Sequence, residues 1–195
     1  MTTTMNRLPV ATWNPLGVNY APASAALPTV PADGWAKAET LSPALPAGVT
    51  ARAEADFGDF AASGMGAETD TWLAENANLV NHLAVSGTAD APIVFENTLD
   101  AAHPHALTYL TIDAAEGSSL TVVQVVRGDA ENGVSASLTR IRAAENAHVT
   151  LVQVQLLGNR ARRWNAVAIE QGKSARVEQV RIELGGCVVA CGART

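Results

Sequence analysis

The sequence predicts an all-β protein in which two types of strand alternate, with one pair of strands in about 29 residues. The segment LTVVQVV at Leu120–Val126 recurs one unit later as VTLVQVQ at Val149–Gln155. The second type, LTYLTIDA at Leu107–Ala114, returns at the same spacing as ASLTRIRA at Ala136–Ala143. Such runs without an intervening helix are typical of a parallel β-helix, or of an antiparallel meander folded as a sandwich or barrel.

The repeat continues into a third unit and includes the turns. NAVAIEQ at Asn165–Gln171 and, more faintly, ARVEQVR at Ala175–Arg181 take the places of the two strand types. The turns carry Gly117, Asn146 and Gly172 at similar points of the three units. Glycine and asparagine enter the left-handed region at low cost, so we expect the same tight turn to be made three times at these residues.

Alternation along the strands predicts that each strand buries at least one face. In LTVVQVV both faces are largely apolar, and in ASLTRIRA the side chains of Arg140 and Arg142 share the face of Leu138. The pattern leaves open which face is inside.

The N-terminal part has a different composition. Residues 1 to about 70 are rich in Ala, Pro, Gly and Thr, and prolines from Pro9 to Pro46 prevent a long helix. We therefore predict an irregular, partly helical segment at 1–72 that packs on a core at 73–195, with a short helix around Leu41–Phe60.

Charge and composition exclude several classes of function. The net charge is −6 with 13 Lys and Arg, and the cluster of Arg160, Arg162 and Arg163 is too small to follow a phosphate backbone, which argues against nucleic acid. We find no secretory segment and no run near the ~20 apolar residues of a membrane helix. The two cysteines form no disulfide framework. These features indicate a cytoplasmic protein.

One segment near the start has particular residues before any periodic element begins. LPVATWNPLGVNY at Leu8–Tyr20 resembles the N-terminal signature of the SufD branch of the SufB/SufD family. GSSLTVVQVVRG and AHVTLVQVQLLGNRARRWNAVAIEQGKSARVEQVRIELGG resemble the core of that family. The resemblance implies that Trp13, Leu16 and Gly17 pack this segment on the core, with Trp13 as the apolar anchor and Gly17 at a bend.

The resemblance also implies a fold and a function. It implies a right-handed parallel β-helix that acts as a non-enzymatic scaffold subunit in SUF iron–sulfur cluster assembly. The expected partners are a SufB-like subunit and a SufC-like ATPase, and an iron–sulfur cluster is expected only in a complex with a partner. Family members are considerably longer, so the chain is predicted to be truncated, with the SufC-docking region beyond Thr195. An open end of the β-helix predicts a homodimer.

Cys187 and Cys191 are the first candidates for metal ligands. On a strand they would share a face but lie about 13 Å apart at ~3.3 Å per residue, too far to bind one metal ion. Free cysteines are often buried, so we expect both in the core, the alternative being a thiolate ligand shared with a partner chain.

Other residues offer weaker candidates. His103 and His105 stand in a predicted turn and would need a third ligand, such as Asp100 or Glu96, to bind a metal ion. We expect a solvated turn there.

A β-helix also permits two other functions. Asp129 and Glu131 permit a carbohydrate-active β-helix, although they lie in the Gly-flanked loop RGDAENG, whose tip we expect to be solvated. A self-assembling structural β-helix is the other alternative. The sequence contains no nucleophile elbow, no phosphate-binding loop and no dinucleotide fingerprint after a strand.

Overall fold

The computed structural model describes residues 33–35, 40–41, 45–53 and 60–195. These residues form eleven strands and one α-helix. The elements in chain order are β1 (Thr40–Leu41), β2 (Val49–Arg52), α1 (Ala67–Asn76), β3 (Leu79–Val85), β4 (Ile93–Leu99), β5 (His105–Ala114), β6 (Ser119–Gly128), β7 (Val134–Ala143), β8 (His148–Leu157), β9 (Arg162–Gln171), β10 (Arg176–Glu183) and β11 (Val188–Arg194).

The strands from β3 onward form a parallel β-helix of about 4 coils. Successive strands alternate between a five-stranded sheet, in the order β1-β4-β6-β8-β10, and a six-stranded sheet, in the order β11-β9-β7-β5-β3-β2. Ser119 on β6 lies opposite His148 on β8, and His105 on β5 lies opposite Val134 on β7, each pair separated by one coil. The predicted parallel β-helix is therefore confirmed. The alternative meander is excluded, because consecutive strands from β3 onward lie in different sheets.

Stacks of branched apolar side chains fill the space between the two sheets. Ile112, Ile141 and Ile169 lie in register on β5, β7 and β9, with exposures of 0%, 0% and 6%. Val122 and Leu151 stack opposite them on β6 and β8 and are fully buried. In a parallel ladder each side chain packs on the residue one coil earlier, so the repeat of the sequence becomes a column in the core.

The outer face of the six-stranded sheet is covered by α1. Leu73 of the helix is fully buried in a cluster with Tyr109 and Trp164 of the sheet. The short helix predicted around Leu41–Phe60 is wrong in the described part of that range, which contains β2 paired antiparallel with β3. In the described part of the chain no helix has the length and apolar character to cross a bilayer.

Two of the three predicted turn residues adopt the left-handed conformation. The φ angles are 66° at Gly117 and 59° at Asn146, as expected. Gly172 is not left-handed, and Ser174 takes that place with a φ of 57°. The third unit is one residue shorter, since Ala143 lies opposite Gln171 rather than Gly172. With this offset of 28 residues Ser174 lies over Asn146, two residues beyond Gly172.

Candidate functional site

A chain of hydrogen-bonded polar side chains lies inside the β-helix, beyond the isoleucine stack. Gln153 of β8 is 1% exposed and donates through its amide nitrogen to Oε1 of Gln124 at 2.8 Å and Oδ1 of Asn165 at 3.1 Å. Asn165 donates back to Oε1 of Gln153 at 3.1 Å and accepts from the Ser137 hydroxyl at 2.9 Å. Gln179 of β10 donates to Oε1 of Gln153 at 3.0 Å. The polar chain thus crosses from one sheet to the other and continues into the last coil.

A thiol, a carboxylate and a guanidinium face the inside of the coil on the last three strands, β9 to β11. Cys191 of β11 stands opposite the fully buried Asn165, and its thiol donates to Oε1 of Glu183 at 3.3 Å. Arg163 is 5% exposed and donates from Nη1 to the Ser135 hydroxyl at 2.7 Å, while its buried Nε has no hydrogen-bond acceptor among the described residues. We refer to Arg163, Glu183 and Cys191 as the terminal polar cluster.

Burial and charge set the ionisation of this cluster. Burial, reinforced by the nearby Glu183 carboxylate, raises the pKa of the Cys191 thiol from its ordinary value of 9.0 to about 11. Burial lowers the pKa of the Arg163 guanidinium, and the negative charge of Glu183 opposes that effect. Because a thiol with a pKa of about 11 holds its proton at neutral pH, Cys191 in this chain is a weak nucleophile and a weak ligand.

The terminal polar cluster could supply part of a metal site but not a whole one. A metal ion displaces the thiol proton, and a carboxylate beside it is a further donor. A closed structural zinc site takes four ligands, whereas no group of three or more His, Cys, Asp and Glu able to hold a metal ion is found within the described ranges. Further donors would have to come from outside the described residues.

The two cysteines differ in position and in partner. Cys187 is exposed, precedes β11, and donates its S–H to the carbonyl oxygen of Ala161 at 3.2 Å. The expectation of two core cysteines is therefore wrong for Cys187, while Cys191 is half-buried.

The two candidate histidines have separate surroundings. The Asp100 carboxylate accepts hydrogen bonds from the backbone N–H groups of Ala102 and His103 at 2.8 and 2.7 Å and lies 3.3 Å from Nδ1 of His103. The His103 backbone hydrogen bond is the main cause that lowers the pKa of Asp100. His105 begins β5, its ring meets Trp35 edge-on at 6.2 Å, and burial lowers its pKa. The Asp100 carboxylate is thus already hydrogen-bonded within its own turn.

The two carboxylates that would suit carbohydrate chemistry, on Asp129 and Glu131, have different surroundings. Asp129 forms an ion pair with Arg160 of the next coil at 2.9 Å and also accepts the Arg160 backbone N–H at 3.2 Å. Glu131 is exposed. Asp129 therefore links two neighbouring loops, which favours a structural role over paired acid chemistry.

Arg163 and Glu183 were missed as site residues by the sequence analysis. Arg163 was counted with the surface arginines, although it precedes Asn165, Val167 and Ile169 at alternating positions of one strand. That parity places all four side chains on one face. This alternation is visible in the sequence, but it identifies Arg163 as an inward residue only when the inner face of the strand is known. Trp13, Leu16 and Gly17 lie outside the described residues.

The outer face of the five-stranded sheet carries rows of apolar side chains. Val123, Val152 and Val180 are in register on β6, β8 and β10, and the adjacent row ends at Ile182. Exposure reaches 47% at Val180 and 42% at Ile182. We call this surface, formed by Val123, Val125, Val152, Val154, Val180 and Ile182, the valine face. Contiguous apolar surface of this kind marks sites of protein–protein contact.

Comparison with known proteins gives one family. The family described as SUF system FeS cluster assembly, SufBD core domain, matches residues 97–194, which is half of the chain. Neither the curated proteins nor the solved structures gave a match. The chain belongs to the SufBD core family, which connects it with SUF iron–sulfur cluster assembly.

Proposed function

We propose that this member of the SufBD core family is a SufD-like scaffold subunit that catalyses no reaction itself. It pairs with a SufB-like subunit, works with a SufC-like ATPase and acts in the cytoplasm. The observation that carries the proposal is the terminal polar cluster, in which one thiol and one carboxylate face inward beside a buried guanidinium. Such an incomplete donor set suits a subunit that shares a cluster with a partner.

The ionisation of Cys191 supports a role that depends on a partner. Alone, the thiol keeps its proton at neutral pH because burial and Glu183 hold its pKa at about 11. Binding of iron by a thiol requires loss of that proton, which the positive charge of the metal ion favours. The nascent cluster is the cargo of this proposal, and the chain alone is not expected to retain it.

The valine face supports pairing with a second protein. Its side chains are β-branched and apolar, like those on the inner faces of stacked sheets. Val180 and Ile182 are nevertheless close to half exposed. A SufB-like subunit that lays an apolar surface on this sheet would remove these side chains from water. Without a partner the same face supports a homodimer.

The domain organisation proposed for this subunit has a β-helix at 73–195 and an N-terminal segment at 1–72 packed on it. Helix α1 spans the boundary at Ala67–Asn76 and already lies on the outer face of the six-stranded sheet. We assign Trp13, Leu16 and Gly17 the packing role that the family resemblance implies.

Co-purification tests the scaffold role. The tagged chain is expressed with its neighbouring genes, and the eluate is assayed for a SufB-like protein, iron and sulfide. We expect a SufB-like partner with the wild-type chain and its loss with Val152→Lys on the valine face. Thr98→Lys is the control, because Thr98 is an exposed residue at the end of β4 in the same sheet. A folded chain that elutes without such a partner would overturn the proposal.

A further inference from the structure

Residues 60–66 form a strap that crosses the outer face of the six-stranded sheet. Phe60 lies over β7, with its ring centre 4.4 Å from the guanidinium carbon of Arg142 and 5.2 Å from that of Arg140. The backbone N–H of Ala61 donates to Oε1 of Glu170 on β9 at 3.1 Å. The strap therefore contacts side chains of two neighbouring strands, β7 and β9, before it reaches β11.

The strap reaches β11 through two glycines whose backbones are in close contact. A Cβ atom added at Gly64 would lie 2.6 Å from the nitrogen and 2.7 Å from the oxygen of Ala193. A Cβ atom added at Gly192 would lie 2.5 Å from the carbonyl carbon of Gly64 and 2.7 Å from the nitrogen of Met65. Both contacts are with backbone, which cannot move aside as a flexible side chain can, so this approach requires glycine on both sides.

The strap is fixed to α1 directly beyond these contacts. The Asp70 carboxylate, 2% exposed, accepts the Ser63 backbone N–H at 2.6 Å and the Ser63 hydroxyl at 2.5 Å. The Met65 N–H donates to the same hydroxyl oxygen at 3.1 Å. Because α1 is packed on the sheet through Leu73, the strap is tied to the β-helix on both sides of Gly64.

The strand under the strap carries the thiol of the terminal polar cluster. Cys191 and Gly192 are consecutive on β11, so the thiol faces inward while the glycine meets the strap outside. In the described part of the chain β11 pairs with β9 only. The strap thus adds to the pairing with β9 and the Cys191–Glu183 hydrogen bond that keep this strand in place.

We propose that the strap is a clamp on β11, and that Gly64 and Gly192 are positioning residues which keep the half-buried Cys191 thiol facing inward. Release of the strap lets β11 move away from β9 and opens the terminal polar cluster to solvent. A ligand or partner that displaces the strap from the outer face would thereby expose a thiol on the inner face. This inference depends on contacts within the chain and not on the proposed role in cluster assembly.

Alkylation of the full chain tests the clamp, with both thiols measured separately by mass spectrometry. In Gly64→Ala the added methyl group cannot fit against Ala193, and we expect Cys191 to be modified at least roughly fivefold faster relative to Cys187. Gly87→Ala is the matched control, because a Cβ atom at Gly87 meets nothing within 4 Å. Phe60→Ala removes the strap's contact with β7 without touching β11 and should change the rate in the same direction, by less.

Hydrogen exchange separates opening of the clamp from general loss of stability. We expect Gly64→Ala to speed exchange in 188–194 while β5 and β7 keep the exchange rates of the wild-type chain. An unchanged Cys191 rate in Gly64→Ala would overturn the proposal. Equal acceleration in Gly87→Ala, or faster exchange throughout the β-helix, would overturn it as well. Loss of partner co-purification with normal clamp behaviour would instead contradict only the scaffold role.

Discussion

Replacing Glu183 by glutamine tests whether this carboxylate sets the acidity of Cys191. With a thiol pKa of about 11, roughly one thiol in a thousand is ionised at pH 8. Glu183→Gln removes a negative charge that accepts the Cys191 S–H at 3.3 Å. Loss of a like charge at this distance lowers a pKa by roughly one unit, which raises the thiolate fraction about tenfold. A less basic thiolate is a weaker nucleophile, so the net gain in alkylation rate is roughly three- to fourfold.

The assay is alkylation of the native chain by iodoacetamide between pH 7 and 10.5, with Cys191 followed separately from Cys187. In the wild-type chain we expect the Cys191 rate to keep rising through pH 10, whereas an ordinary thiol levels off above its pKa of about 8.5. Glu178→Gln is the control, because Glu178 lies on the same strand but forms an ion pair with Arg176 at the surface. Equal Cys191 rates in the two variants, or a wild-type rate that levels off near pH 9, would refute the reasoning.

Three further outcomes are expected from the core, the turns and the thiol. Ile141→Ala should lower the free energy of unfolding in denaturant by roughly 2–5 kcal/mol, since this fully buried side chain lies at the centre of the isoleucine stack; a loss below about 1 kcal/mol would contradict that packing. Asn146→Val should cost about 1–2 kcal/mol in thermal unfolding because of its φ of 59°, whereas Asn146→Gly should cost little; equal costs would argue against a left-handed turn. The folded chain keeps the Cys191 proton after the unfolded chain loses it near pH 9.0, so the stabilisation present below that pH should be lost as the pH rises through about 11. We expect about 1–2 kcal/mol after allowance for the solvent-facing part of the thiol, and Cys191→Ser should abolish the dependence.

The coil register could be predicted because a parallel ladder stacks residues of the same type. Ile112, Ile141 and Ile169 repeat in the sequence for the same reason that they stack in the core, and the turns at Gly117 and Asn146 repeat with them. The prediction failed at Gly172, which follows Asn146 by only 26 residues, because the strands of this unit are offset by 28 residues and place Ser174 over Asn146. Choosing a turn residue by its similarity to Gly117 does not detect this register.

The inside of the coil could not be chosen from the pattern alone. In LTVVQVV the face that lines the inside of the coil is that of Val122 and Gln124, and in ASLTRIRA it is that of Ile141, while Arg140 and Arg142 lie on the outer face with Leu138, which is also buried. Both faces of the first strand are apolar because one lines the core and the other forms part of the valine face. Arg163 was missed for the opposite reason, since a charged side chain on a strand ordinarily faces water.

The position of α1 could not be predicted either, because its helical pattern is weak. Its sequence AETDTWLAEN buries the polar Asp70 together with Leu73, while Glu68 and Glu75 are exposed. Such a helix is stabilised mainly by what it covers, here Tyr109 and Trp164, rather than by its own propensity. These contacts are between residues far apart in the chain.

The last coil brings the valine face and the terminal polar cluster onto the same strand. On β10, Ile182 points out of the five-stranded sheet and is 42% exposed, while the next residue, Glu183, points inward and accepts the Cys191 S–H. A partner that packs on Ile182 would contact the strand that positions Glu183. Displacement of that carboxylate away from the thiol would lower the pKa of Cys191, because a like charge would then be farther from the thiolate. The outer valine face and the inner terminal polar cluster thus meet at two consecutive residues of β10, so docking at Ile182 and the Cys191 pKa can be measured together in one variant series.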